Sequence, residues 1–132
     1  MSMEPQIGLK NKLFDLSEAS ELLILVQSIT QKHQAQLQPV QDRLNRILSN
    51  DPRRPMVEAD YQEVVSRWKF KIEQLGATVC GLWMVNFEVP GGALSWRHPE
   101  LTLSYFIVKD TNFSERIKLT TYIEEHDPDW SH

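Results

Sequence analysis

The sequence predicts an α+β protein, a long antiparallel helical hairpin followed by a small antiparallel sheet of about four strands. Three observations carry this expectation. Apolar residues recur at helical spacing through the first half of the chain, a dense cluster of turn residues divides that half in two, and the period becomes alternating after Gly76.

The first helix has a recognisable start at Asp15-Leu16-Ser17-Glu18, where the Asp15 carboxylate can accept from the backbone N–H of Glu18 while Glu18 reaches back. From there Leu22, Val26, Ile29, His33, Leu37, Val40, Leu44 and Ile47 recur at steps of three or four, which places them on one face. Pro39 interrupts the run; it lacks an N–H and crowds the preceding turn, so either a kink near Gln38 or two helices in line is expected. Ser49 to Pro55, with Asn50, Asp51, Pro52 and Pro55, must reverse the chain. Val57, Tyr61, Val64, Val65, Trp68, Ile72 and Leu75 form the second helical run, and Gly76 stands where a carboxy-terminal cap belongs.

Beyond Gly76, Trp83, Val85 and Phe87 alternate with Met84, Asn86 and Glu88, the pattern of a strand. Val89-Pro90-Gly91-Gly92 supplies a turn, and Leu94 and Trp96 against Ser95 and Arg97 give the return strand. Leu101 to Val108 alternates again, and after a turn at Asp110 to Ser114 so do Ile117, Leu119, Thr121 and Ile123. The expected organisation is a flexible lead-in over 1–12 and one domain over 13–123, divided into hairpin (13–76) and sheet (77–123). An acidic tail over 124–132 follows, mobile apart from Trp130.

A chain of 132 residues with 41% apolar and 24% charged residues is of ordinary globular composition. Its longest early apolar run, Leu22 to Val26, cannot span a bilayer and the amino terminus lacks a signal-peptide layout, so a cytoplasmic protein without a membrane partner is expected. The single cysteine, Cys80, excludes an internal disulfide and fits a reducing compartment. A net charge of −4 argues against nucleic acid, whose phosphates demand clustered cations.

Chemical motifs are sparse. The four histidines, His33, His98, His126 and His132, show no zinc-binding i, i+4 spacing, and no G-x-S-x-G, phosphate-loop or dinucleotide fingerprint occurs, so no catalytic residue, metal or cofactor is assigned. Glu125-His126-Asp127 with Asp129 reads as solvated charge, Cys80 as a small buried residue, and the Arg53-Arg54 pair as solvated turn residues. His33 lies on the apolar stripe as a hydrogen-bonded core or interface histidine. Arg97, Glu100, Tyr105 and Arg116 form the polar group that adjacent strands can gather on one side of the sheet. Two guanidinium groups there could clamp a carboxylate or phosphate, the plainer alternative being an Arg97 to Glu100 surface ion pair.

Two stretches together resemble the domain of unknown function 2203 family, found chiefly in bacteria. The first, Leu13 to Leu23, is similar to that family's opening aromatic, capping box and Glu-Ala before paired leucines. In the second, Val85-Asn86-Phe87 resembles its Val-Asp-Phe, and Trp96-Arg97, Glu100, Tyr105, Phe113 and Arg116 match its Trp-Arg, Glu, Tyr, Phe and Arg. The chain departs from it in having Asn86 for the family's aspartate, Ile107 for its histidine, and a shorter hairpin. The resemblance implies the architecture and no activity.

Helix lengths bear on assembly: Ser17 to Leu48 would extend about 48 Å and Val57 to Leu75 about 28 Å, so the shorter helix leaves the start of the longer one uncovered. The stripe Leu22, Leu23, Val26 and Ile29 must then be covered by the sheet or by a second copy across a two-fold axis, and the homodimer is favoured here. The leading expectation is therefore a non-enzymatic interaction or self-associating protein using its long helices. The alternative is a small anionic-ligand-binding domain or degenerate enzyme using the sheet face around Arg97 and Arg116.

Overall fold

In the computed structural model, which describes residues 12–109 and 115–132, two long antiparallel helices are followed by a five-stranded antiparallel sheet and a short helix. Helix α1 (Leu16–Arg46) opens with the predicted capping box: Asp15 accepts from the Glu18 N–H at 2.7 Å, and Glu18 accepts from the Asp15 N–H at 3.1 Å. It neither ends nor divides at Pro39. Proline deprives the Ala35 carbonyl of its helical donor, but Ala35 and Pro39 both lie on the exposed face, where that carbonyl is open to solvent. Helix α2 (Arg54–Gln74) begins with Pro55 in its first turn and is closed by Gly76 at φ +94°, whose N–H reaches the Glu73 carbonyl.

The sheet follows chain order: β1 (Thr78–Gly81), β2 (Met84–Val89), β3 (Gly92–Arg97), β4 (Tyr105–Val108) and β5 (Ile117–Lys118). Its tightest link is the two-residue connection Pro90-Gly91, where Gly91 takes a φ of +91° that a side chain would resist. Pairing of Val85 with Trp96, Phe87 with Leu94 and Val89 with Gly92 sets these residues on the inner face. Gly92 is obligatory there for space, since a Cβ would run into the Ile107 carbonyl and the Phe106 ring.

Most of the core lies between the inner face and the hairpin: Leu23 and Val26 of α1, Trp68 and Ile72 of α2, and Val85, Phe87, Leu94, Trp96 and Phe106 of the sheet are all buried in one cluster. Buried Trp68 also donates its indole N–H to Thr30 Oγ1 at 2.8 Å. A second cluster, Leu37, Val40, Val57 and Val64, zips the far end of the hairpin. The sheet and the last turns of α2, through Trp68 and Ile72, together cover the first half of α1. Leu23 is 5% and Val26 0% exposed within a single chain, while Leu22 and Ile29 pack partly buried against the same cluster. Of the four residues assigned to a dimer interface, Leu23 and Val26 are core residues within one chain, while Leu22 and Ile29 stay partly exposed at its edge.

The carboxy-terminal end differs from the alternating pattern. Only Ile117 and Lys118 form a strand, and Leu119–His126 is helix α3. Leu119, Tyr122 and Ile123 also satisfy a helical period, and packing onto the core selects it: Leu119 is buried and Tyr122 stacks on Phe106 with centroids 4.0 Å apart. The stretch taken as an acidic tail is thus helical as far as His126, and Trp130, in a 3-10 turn over Asp129–Ser131, is buried with its indole N–H on the Pro90 carbonyl. Strand β1 lies outside the sequence pattern, and β4 starts at Tyr105 instead of Leu101. The lead-in from Met1 to Asn11, the turn from Asp110 to Ser114 and Phe113 lie outside the described residues.

Candidate functional site

Cross-strand pairing fixes the outer face of the sheet, the one turned from the helices. Arg97 stands opposite Met84, Asn86 between Thr78 and Ser95, Tyr105 between Ser95 and Lys118, and Glu88 opposite Ala93, itself paired with Ile107. Arg116, just before β5, lies over this face with its guanidinium carbon 4.2 Å from the Tyr105 ring centroid. The structure therefore brings Arg97, Glu100, Tyr105 and Arg116 to one side of the sheet, as their positions in the sequence suggest.

Their pairing is more specific. The Arg116 guanidinium grips Glu100 with both terminal nitrogens, Nη1 to Oε2 at 2.8 Å and Nη2 to Oε1 at 2.7 Å. Its Nε donates to Ser95 Oγ at 2.9 Å and Nη2 also to the Ser95 carbonyl at 3.2 Å. With side-chain exposures of 14% for Arg116 and 24% for Glu100, this bidentate pair is well shielded. Partial burial pushes the Glu100 carboxyl up, but the Arg116 hydrogen bonds, the Arg97 N–H at 2.8 Å and the two positive charges outweigh it and hold the group below its ordinary value. Arg97 hydrogen-bonds to Glu100 through its backbone, and its guanidinium acts on that carboxylate only through its charge. Its side chain is exposed and makes no hydrogen bond or ion pair among the described residues.

Glu100 also anchors the turn that follows β3. Its carbonyl accepts from the Trp96 indole at 2.7 Å and from Gln27 Nε2 at 3.2 Å, and Gln27 reaches the Leu101 carbonyl as well at 3.1 Å. This ties the site to α1 across a surface cleft bordered by Gln27, Gln31, Trp96 and His98.

Two further residues of the face escaped the sequence reading as site residues, although their outward positions on a central strand were the signal. Asn86 is half-buried and accepts at Oδ1 from the Cys80 thiol at 3.4 Å. Desolvation pushes that thiol up, which leaves Cys80, although surface-exposed, protonated near neutral pH. Half-buried Glu88 is likewise pushed up by desolvation, with Lys109 pulling in the opposite direction.

The remaining candidates are structural. Arg53 pairs with Asp51 and holds that carboxyl at about 2, while Arg54 pairs with Glu58 and donates to the Leu44 and Ile47 carbonyls at the end of α1. His33 is buried with Nδ1 2.8 Å from the Ile29 carbonyl. His126 stacks on Tyr122, and Asp127 lies 2.9 Å from His132. Among the described residues no three His, Cys, Asp or Glu side chains gather as a metal would require, and no helix is long and apolar enough to cross a membrane. Comparison of the chain with family models, with curated proteins and with solved structures gives no match.

Proposed function

We propose that the protein is a binding domain whose working surface is the outer sheet face and whose ligand is a small molecule bearing an anionic group. The observation that carries this is the exposed Arg97 guanidinium, without a side-chain partner among the described residues, at the rim of a face whose other arginine is locked by Glu100. The surroundings favour an anion. Arg97, Lys109, Arg116 and Lys118 outnumber Glu88 and Glu100 on the described part of this face, in a chain whose net charge is −4.

Binding is favoured over chemistry because the Cys80 thiol is protonated and bonded to an amide oxygen, and buried Ser95 accepts from Arg116. Association through the helices is less strongly called for, since Leu23 and Val26 are already buried within one chain. The positions that resemble the domain of unknown function 2203 family support treating this face as the purposeful one: Glu100, Tyr105 and Arg116 converge on it, and Trp96 holds the Glu100 carbonyl from the core side. We take the chain to be a divergent relative of that family.

The test is an amide chemical-shift titration with phosphate and with citrate, on the wild type and on Arg97→Gln. Saturable shifts over residues 95–97 and 105–107 that Arg97→Gln abolishes are expected. No saturable shift, or shifts gathered at Arg53 and Arg54, would overturn the reading.

A further inference from the structure

Arg97 is not the only polar group of the outer face without a partner among the described residues. Among the described residues, the Glu88 carboxylate and the Asn86 amide nitrogen also lack a hydrogen-bond partner, and Glu88 forms no ion pair with Lys109. Ala93, opposite Glu88, offers it no polar contact, and Ser95, opposite Asn86, is engaged by Arg116.

The register gives these groups an order and a spacing. Arg97 faces Met84, and Glu88 lies four residues further along β2, so their Cα positions are separated by about 14 Å along the strands at about 3.4 Å per residue. Asn86 is midway. A cation at one end, a carboxylate at the other and an amide donor between them form the complement of a molecule with opposite charges at its two ends. An extended chain of four residues spans about 13 to 14 Å.

Resting on the anion-binding reading of this face, we propose that its ligand is a short peptide of about four residues with free ends. Its carboxylate lies on Arg97, a central carbonyl on the Asn86 amide and its ammonium group on Glu88. The desolvation that disfavours a lone charged carboxylate at Glu88 is what the opposite charge of an ammonium partner there would offset.

The probes are tetraglycine, N-acetyl-tetraglycine, tetraglycine amide and glycine, followed by amide shifts on the intact chain. In the wild type, tetraglycine is expected to bind about ten-fold more tightly than its N-acetyl form, the worth of one charge-assisted hydrogen bond. Glu88→Gln is expected to erase that difference, Arg97→Gln to reduce tetraglycine binding to that of tetraglycine amide, and glycine to be too short to gain from both ends. Both variants change solvent-accessible side chains conservatively, and their amide spectra report whether the fold is kept. Equal affinity for the free and acetylated peptides, or a difference that survives in Glu88→Gln, would overturn the proposal while phosphate or citrate binding at Arg97 left the broader reading standing. Failure of phosphate, citrate and every peptide to shift the sheet would overturn both.

Discussion

Replacing Arg116 by alanine removes a guanidinium that serves Glu100 and Ser95 at once, and the structure sets the scale of the loss. The bidentate bonds to Glu100 are 2.7 and 2.8 Å long, and the two side chains are 14% and 24% exposed. Breaking a fully buried pair costs about 3 to 5 kcal/mol because one charge is left without its partner, and some solvent access here favours the lower end. The buried Ser95 hydroxyl also loses the Arg116 N–H whose hydrogen bond it accepts. Arg116→Ala is therefore expected to lose about 3 kcal/mol at pH 7, equivalent to a fall in Tm of roughly 10 °C for a domain of this size.

Glu100 gives this loss a pH signature. Its folded-state pKa lies below the unfolded value, so it contributes stability that is present above about pH 4.5 and lost as pH falls through the folded value. In Arg116→Ala the carboxyl keeps its partial burial and loses its main partner, so the variant's deficit should shrink as the group is protonated below about pH 4.5. Urea unfolding of wild type, Arg116→Ala, Glu100→Gln and the double variant at pH 7 and pH 4 measures both effects. A loss below about 0.5 kcal/mol at pH 7, or additive single changes, would refute the view that this network braces the sheet.

Two other outcomes follow from buried positions. His33 has its pKa lowered by burial, opposed by its bond to the Ile29 carbonyl and reinforced by the charges of Lys71, Arg67 and Lys32. Its contribution is complete above about pH 6.5 and lost as pH falls toward the folded value. The difference in unfolding free energy between wild type and His33→Gln should therefore decline from pH 7 to pH 5 in urea melts, and a pH-independent difference would contradict it. Val26→Asp places a carboxylate where the native side chain has no exposure, so it should unfold the chain, with loss of amide dispersion. A soluble, folded Val26→Asp monomer derived from a dimeric wild type would instead restore the helix-interface reading.

The helices were legible because each of their signals is local: the Asp15 and Glu18 cap, the stripe through Val26, His33, Leu37 and Val40, and the stop at Gly76 each involve residues a few positions apart on one helix. The β2 to β3 hairpin was legible for the same reason, through Pro90-Gly91 between alternating runs. What covers Leu23 and Val26 was not, since the covering residues Phe87, Leu94 and Trp96 arrive from more than 60 positions away and an amphipathic face does not name its partner. At Ile117 to Ile123 two periods fitted, and the docking of Leu119 and Tyr122 decided between them. The candidate site was half legible. Alternation put Arg97, Glu100, Tyr105 and Arg116 within reach of one face, but the choice of Arg116 as the Glu100 partner depends on the turn after β3 and the approach of β5, which leave no local pattern.

That choice separates the two arginines by role. An arginine held on four hydrogen bonds and stacked on Tyr105 would lose its carboxylate clamp in turning to a ligand, whereas Arg97 can do so without giving up any side-chain bond to a described residue. The network nevertheless determines where Arg97 sits. Glu100 accepts the Arg97 N–H with its carboxylate and returns its own N–H to the Arg97 carbonyl, while its carbonyl is held by Trp96 and, through Gln27, by α1. Arg97 is therefore carried on a turn fastened to helix, sheet and β5 together. Such fastening lowers the conformational cost of presenting one exposed guanidinium in a constant direction. It also gives Trp96, Glu100, Tyr105 and Arg116 a shared physical reason to occur as a set, whatever molecule Arg97 meets.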